Sequence, residues 1–354
     1  MTHQASTVLL KRLNVRVPIL QAPMAGVSSP AMAAAVCEAG GLGAIGVGAA
    51  GAQRAGEMIA AVRQRSAGAL NVNVFVHRPA TADEHREAAW IERLRPRFAE
   101  FGTEPPARLR EIYTSFATDD AMLGMLIEMR PAVVSLHFGL PDAARLQALR
   151  DAGIVLLATA TSLAEAYQAA AAGVDAIVAQ GYEAGGHRGV FDPQAQDEQL
   201  GTLALTRLLV TQIDLPIIAA GGIMDGHGIR ASLALGAAAA QLGTAYIATD
   251  ESLADEGYRA ALFSPAAHHT VMTRVISGRP ARSLGNRFTT LGAQVGAEAI
   301  PDYPIAYDLG KALHAAAAKQ GEFGYGAQWA GQGAPLARRM PAGVLTRTLA
   351  AELG

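Results

Sequence analysis

Short apolar runs alternate with alanine-rich stretches of helical length along most of the chain, and glycine marks many of the boundaries. The runs predicted as strands are Val17–Ala22, Gly43–Val47, Leu70–Phe75, Val133–Phe138, Ile154–Ala158, Val174–Ala179, Pro216–Ala220 and Ala239–Gly243. Few polar residues interrupt them, as expected of strands covered on both faces. Strands that alternate with helices imply right-handed βαβ crossovers and a parallel sheet. Eight such units are the number that closes a (β/α)8 TIM barrel, and an α/β barrel of this kind is the expected fold. A doubly wound open sheet is the rival. It needs a glycine-rich fingerprint in its first βα turn, and Gln21-Ala-Pro-Met-Ala-Gly26 has no Gly-x-Gly-x-x-Gly.

Two stretches depart from a plain barrel. Residues 76–131 separate the third and fourth strands and hold the charged run Asp83 to Arg97 and Pro105-Pro106. They are expected to form an inserted pair of helices on the catalytic face. The barrel itself is assigned to 1–249. Residues 250–354 show no further βα repeat, although Asp308–Lys319 reads as a helix and Gly324–Gly333 is glycine-rich. With no linker before them, they are expected to fold back over the barrel mouth as a cover rather than form an independent domain.

Composition narrows the classes. The chain has 354 residues, enough for a barrel with additions. Hydrophobic residues make up 51% and charged residues 17%, but much of the apolar content is alanine, and no run of roughly 18 strongly apolar residues suggests a membrane span. Met1 to Arg16 carries no recognisable secretory leader, so a cytoplasmic location is expected. The net charge of −2 comes without a long basic run, which argues against nucleic acid as a partner. Cys37 is the only cysteine, so neither an intramolecular disulfide nor a cysteine-based metal cluster is possible.

The most informative stretch is Gln180-Gly-Tyr-Glu-Ala-Gly-Gly-His-Arg-Gly189. It follows a strand directly, at the end where barrel enzymes place their chemistry. Glycines let backbone approach a flat ligand closely, and a histidine there can act as acid, base or polar contact. His187 is the candidate. His137 ends the fourth strand on the same face, and there a catalytic and a buried structural role are equally open. Neither histidine has the companion spacing of a metal site, and no metal is expected. The loops Gly221-Gly222 and Gly243-Thr244 end the last two strands, the usual phosphate site of such barrels. Asn73, Gln180 and Gln241 offer amides at strand ends, suited to the edges of a flavin ring. Tyr303, Tyr307 and Lys311 fall at i, i+4 and i+8, one face of a helix. An amphipathic packing role competes with the binding of an anion by Lys311, in which Tyr113 of the insertion can join.

These residues together resemble the nitronate monooxygenases, formerly called nitropropane dioxygenases. The resemblance lies in Gln21-Ala-Pro-Met-Ala-Gly-Val-Ser28, Gly40-Gly-Leu-Gly43, Asn73-Val-Phe75, His137-Phe-Gly-Leu-Pro141, Gln180–Gly189, Ala220-Gly-Gly-Ile223, Gln241-Leu-Gly-Thr244, the Tyr303/Tyr307/Lys311 spacing and Trp329-Ala-Gly-Gln-Gly-Ala334, and so spans nearly the whole chain. It implies a TIM-barrel flavoprotein with non-covalent FMN that oxidises alkyl nitronates, typically propionate 3-nitronate, using O2, to a carbonyl compound plus nitrite or nitrate. It carries cofactor contacts to Pro23, Met24, Ala25, Asn73, Gln180, Gly185, Gly221, Gly222, Gln241, Leu242, Gly243 and Thr244. It makes His187 the active-site histidine, and His137, Tyr113, Tyr303, Tyr307 and Lys311 pocket residues. A flavin-dependent NAD(P)H reductase on the same barrel and a non-flavin phosphate-binding barrel are the alternative functions.

Overall fold

The structure, a computed structural model, describes residues 8–354. The first seven residues of the N-terminal stretch read above for a leader lie outside these. Eight parallel strands form the central sheet: β1 (Ile19–Gln21), β2 (Gly43–Gly46), β3 (Leu70–Phe75), β4 (Val133–His137), β5 (Val155–Ala160), β6 (Ala176–Gln180), β8 (Ile217–Ala220) and β9 (Ala239–Leu242). Each falls on one of the eight runs expected from the sequence. Their order around the sheet is β1-β9-β8-β6-β5-β4-β3-β2. A parallel bridge from Leu20 to Leu42 joins the two ends, so the sheet closes into a barrel.

The alternation of side chains along each strand explains why these runs are apolar throughout. Val155, Leu157, Val178, Ile218 and Ala220 point to the interior, where Leu9, Leu13 and Val15 from the N-terminal side join them. Their neighbours Leu156, Ala158, Ile177, Ala179 and Ile217 face outward and are covered by helices. Fully burying a leucine, isoleucine or valine side chain is worth roughly 1.5–3 kcal/mol, and both faces draw on this.

The outer ring of helices is α1 (Pro30–Glu38), α2 (Ala52–Arg63), α4 (Asp120–Met129), α5 (Ala143–Asp151), α6 (Leu163–Ala171), α7 (Thr202–Gln212), α8 (Gly226–Ala234) and α13 (Ala342–Ala351). Two corrections to the sequence reading follow. Within 76–131 only α3 (Glu84–Ala99) is additional; α4 packs on α2 and α5 and is the crossover from β3 to β4. At the other end, α13 packs on α1 and α8. The last helix of the chain therefore completes the ring and is not part of the cover.

Between these come three short helices, α9 (Thr244–Ile247), α10 (Glu256–Leu262) and α11 (Arg287–Gly292), and the chain builds the structure above the mouth. The hairpin β10 (Thr270–Thr273) and β11 (Ala281–Leu284) pairs with a two-residue strand, β7 (Gly186–His187), in a small antiparallel sheet. The helix α12 (Ile305–Ala318) lies on α3, and Trp90, Leu94 and Phe98 share a core with Ile276, Leu309 and Leu313. The insertion and the late segment are thus packed on one another. No described helix is long and apolar enough to cross a membrane.

Candidate active site

A cavity of about 450 Å³ opens at the carboxyl ends of the barrel strands, within the range of roughly 300–1,000 Å³ seen for small-molecule sites. Pro23, Met24, Ala25, Asn73, Gln180, Gly185, Gly221, Gly222, Gln241, Gly243 and Thr244 line it, together with Tyr113, His137, His187, Tyr303, Tyr307 and Lys311. Of the residues singled out from the sequence, only Leu242 stays off the wall. Its side chain lies in the core with Ile19 and Met32, because it alternates with Gln241 along β9.

At one end of the cavity the wall is backbone. Gly221 and Gly222 have φ of +125° and +69°, conformations that side chains other than glycine rarely adopt. The N–H groups of Gly222, Gly243 and Thr244 meet no protein acceptor among the described residues. All three residues line the cavity, so these N–H groups form a donor set open to it and suited to an anionic oxygen group. Next to them the β1 loop is held rigidly. Gln21 Oε1 accepts from Ala44 N at 2.9 Å, Gln21 Nε2 donates to Ser28 Oγ at 2.7 Å, and Met24 N donates to the same hydroxyl at 3.0 Å. That fixes Pro23–Ala25 against the cavity. Asn73 donates to the Ser135 carbonyl and hydroxyl, both at 3.0 Å, leaving its Oδ1 without a protein donor.

His187 sits on β7, half-buried in the cavity wall. Its Nε2 lies 2.9 Å from Ser277 Oγ. Burial, followed by the nearby His137, Arg279 and His77, holds its pKa well below the ordinary histidine value, so the ring is neutral at pH 7. Its carbonyl accepts from Gln180 Nε2 at 3.0 Å, while Gln180 Oε1 accepts from Gly189 N at 2.7 Å. Gln180 is thus the brace of the histidine loop. His137 has a similar task. Its Nε2 lies 3.3 Å from the His187 carbonyl, which can only accept, so this nitrogen carries the proton. Its Nδ1 then accepts from Thr159 Oγ1 at 3.0 Å. Both nitrogens are engaged, and burial, aided by Arg279, pushes the pKa of His137 down to about 4. Of the two readings left open for His137, the geometry favours the structural one.

The loop's other charges are also engaged. Glu183 accepts from Thr202 N and Thr202 Oγ1, capping α7, whose own N-cap is Gly201 and offers no side chain. Arg188, almost wholly buried, makes two hydrogen bonds to Asp197, at 2.8 and 2.9 Å, from Nε and Nη2. Asp197, in a stretch that carries no motif, supplies the partner of this arginine.

Opposite the glycine loops the cavity is aromatic, and Lys311 stands among the rings. The His187 ring lies 5.3 Å from Tyr303, 6.1 Å from Tyr307 and 5.1 Å from Trp329. Lys311 Nζ is 5.2 Å from the Tyr307 ring and 5.8 Å from the Tyr113 ring. Lys311 is exposed at the cavity rim but crowded enough for burial to lower its pKa. Tyr303, Tyr307 and Lys311 do not share one helix face as their spacing suggested. α12 begins at Ile305, after Pro304 at its N-cap, and a residue before proline is disfavoured in the helical region. Tyr303 reaches the cavity from the preceding loop instead.

Trp329, part of the tail motif, also forms part of the wall. Phe138, Ser277 and Arg279 carried no sequence signal as site residues. Phe138 adopts φ +79°, a strained value for a bulky side chain. Its ring packs 4.4 Å from His137 and 5.5 Å from His187, with Arg279 Cζ 4.2 Å from its centroid.

A closed parallel barrel with a ligand-sized cavity at its strand ends, one wall of bare backbone donors and another with a neutral histidine, is the framework of an enzyme. A model of the nitronate monooxygenase family matches residues 6–352, and the chain belongs to this family of oxidoreductases. It is 59% identical to the nitronate monooxygenase of Paraburkholderia phytofirmans, over 100% of this chain and 97% of that protein. To the nitronate monooxygenase of Pseudomonas aeruginosa it is 53% identical, over 96% and 97%. Among solved structures, the nitroalkane oxidase of Streptomyces ansochromogenes superposes with a TM-score of 0.90 at 42% identity, covering 98% of this chain and 97% of that one.

Proposed function

We propose that the cavity holds FMN and that the protein there oxidises alkyl nitronates with O2 to a carbonyl product plus nitrite or nitrate. The observation that carries this is the polarity of this cavity. Unpaired backbone donors at Gly222, Gly243 and Thr244 suit a single phosphate, and the far end presents His187 and Lys311 among tyrosines. Pro23–Ala25 and Asn73, held by Gln21, Ser28 and Ser135, lie between and suit a flat ring. Bound flavin supplies the electron exchange between nitronate and oxygen.

The chain's own groups do the rest. Lys311 pairs with no described carboxylate, so its ammonium is available to an anionic substrate, above all one with a carboxylate. The tyrosines and Trp329 exclude water from the space beside His187. A nitronate has already lost its α-proton and needs no base. For a neutral nitroalkane, the neutral His187 ring takes that proton.

The purified protein is expected to be yellow, to release FMN on denaturation, and to consume oxygen with propionate 3-nitronate in the absence of NADH and NADPH. Release of FAD, or no flavin after reconstitution, would remove the cofactor assignment. Rapid anaerobic reduction by NADH would favour a reductase.

A further inference from the structure

We propose that Ser277 is a positioning residue for His187: its hydroxyl takes the Nε2–H of the imidazole, so that the Nδ1 lone pair is the one presented to the cavity.

Ser277 is fully buried, and its Oγ has three neighbours. His187 Nε2 lies at 2.9 Å, the carbonyl of Arg279 at 3.2 Å and the N–H of Arg279 at 3.4 Å. The hydroxyl has one proton and two possible acceptors for it. The Arg279 carbonyl can only accept, and among the described residues no other donor meets it. A buried carbonyl left unpaired is costly. The arrangement with every group satisfied runs Nε2–H to Oγ, then O–H to the Arg279 carbonyl. His187 Nδ1 has no protein partner, yet it is not among the buried unpartnered atoms, and the residue lines the cavity. This nitrogen therefore faces the space where substrate would lie.

The backbone makes the contact possible. Gly278 packs so closely on the loop before α12 that a Cβ there would lie 2.5 Å from the Pro301 carbonyl oxygen and 2.7 Å from Tyr303 N. The turn 277–279 can thus pass beneath Tyr303 and reach His187. The titratable and charged groups around the ring are His137 from β4, His77 from beyond β3, Arg279 from this turn, and Tyr303 and Tyr307 from the cover. Among the described residues no carboxylate hydrogen-bonds it. A neutral hydroxyl is then the group that orients the ring, and it can do so in either charge state. When Nδ1 accepts the α-proton of a nitroalkane, the C–H electron pair becomes part of the C=N bond of the nitronate. The imidazolium formed keeps Nε2–H on Ser277, with no second proton moved.

The role in proton abstraction rests on the nitronate-oxidising function proposed above; the tautomer does not. The test is a long-range ¹H–¹⁵N spectrum of the holoenzyme labelled with ¹⁵N-histidine, with His187 assigned by its loss in His187→Asn. The expected signature is a protonated Nε2 and an unprotonated Nδ1. A protonated Nδ1 in the unmutated protein overturns the proposal without any variant having to fold. In flavin-replete Ser277→Ala the Nδ1–H form should grow, and the kcat/KM ratio of nitroethane to ethyl nitronate should fall about tenfold. Ser277→Thr, which restores a hydroxyl, should recover both. An unaltered tautomer and ratio in Ser277→Ala would mean that Ser277 only fills space. Failure of all nitronate oxidation, with the expected tautomer present, would sink the function and leave the positioning intact.

Discussion

The ring of His137 donates from Nε2 to the backbone carbonyl of His187, 3.3 Å away. One histidine is a prop for the other's main chain, and only His187 keeps a nitrogen for the cavity. The two imidazoles are therefore not interchangeable, and under the proposed function it is His187 that would take the α-proton of a neutral substrate.

His187→Asn should accordingly lower kcat/KM for nitroethane by roughly 10²-fold or more, and for ethyl nitronate by far less. Steady-state kinetics on flavin-replete protein decides. Equal losses on both substrates would leave His187 as a polar contact rather than a base.

Lys311→Met should raise KM for propionate 3-nitronate by about tenfold or more, the usual worth of a charge-assisted hydrogen bond. Ethyl nitronate, without a carboxylate, should be little affected. The ammonium stands over the Tyr307 and Tyr113 rings with no described carboxylate beside it, so its loss leaves no buried acid unpaired. A matching rise for both substrates would assign the lysine to the cofactor or the fold.

Acid should destabilise the protein before its carboxylates titrate. Burial pushes the pKa of His77, and likewise that of His137, down to about 4 in the folded state, against about 6.5 when exposed. Below about pH 6.5 the unfolded chain binds protons that the native one does not. Stability is thus full above that pH and falls as pH drops toward 4, by a few kcal/mol in all on an order-of-magnitude reckoning. Thermal melting from pH 7.5 to 4.5 should show Tm falling chiefly below 6.5. His77→Phe, which keeps the ring contact with Tyr303, should flatten the fall; an identical slope in the variant would place its cause elsewhere.

Gly185→Ala should weaken flavin retention and lower Tm. A Cβ at Gly185 would lie 2.4 Å from Gly331 N and 2.6 Å from the Ala330 carbonyl carbon, both backbone atoms that cannot turn aside. Forced overpacking of this kind costs roughly 1–3 kcal/mol. A melting curve and flavin content like those of the unmutated protein would show that the tail can lift off the histidine loop at no cost.

Much of this was legible in the sequence, for a local reason. The barrel strands are apolar on both faces and many boundaries carry glycine, so each leaves its mark within a few residues. The glycine loops and His187 follow strands directly and share that legibility. What escaped was built by distant chain segments meeting. Ser277 reaches His187, and Arg279 the Val190 carbonyl, across some ninety positions, and no pattern around residue 277 hints at it. Phe138 looked like the last residue of a strand, and only its φ of +79° shows that the chain turns there. The spacing of Tyr303, Tyr307 and Lys311 correctly grouped the three, but Pro304 breaks the helix assumed to join them. The helix α4 was assigned to the insertion because nothing local distinguishes a crossover helix from an added one.

The pairing of Gly186–His187 with Ala281–Arg282 bears on how such a protein can be cut and recombined. By chain position His187 belongs to the barrel, yet its strand partners come from the far side of residue 249. A fragment ending there would keep all eight barrel strands, both glycine loops and the Gln180 and His137 props of the His187 carbonyl, yet lose the strand pairing and the Ser277 contact that set its imidazole. Grafting another relative's lid onto this barrel would likewise succeed only if strand 186–187 travelled with it. The boundary that matters for exchange runs through the middle of the histidine loop, not between one half of the chain and the other.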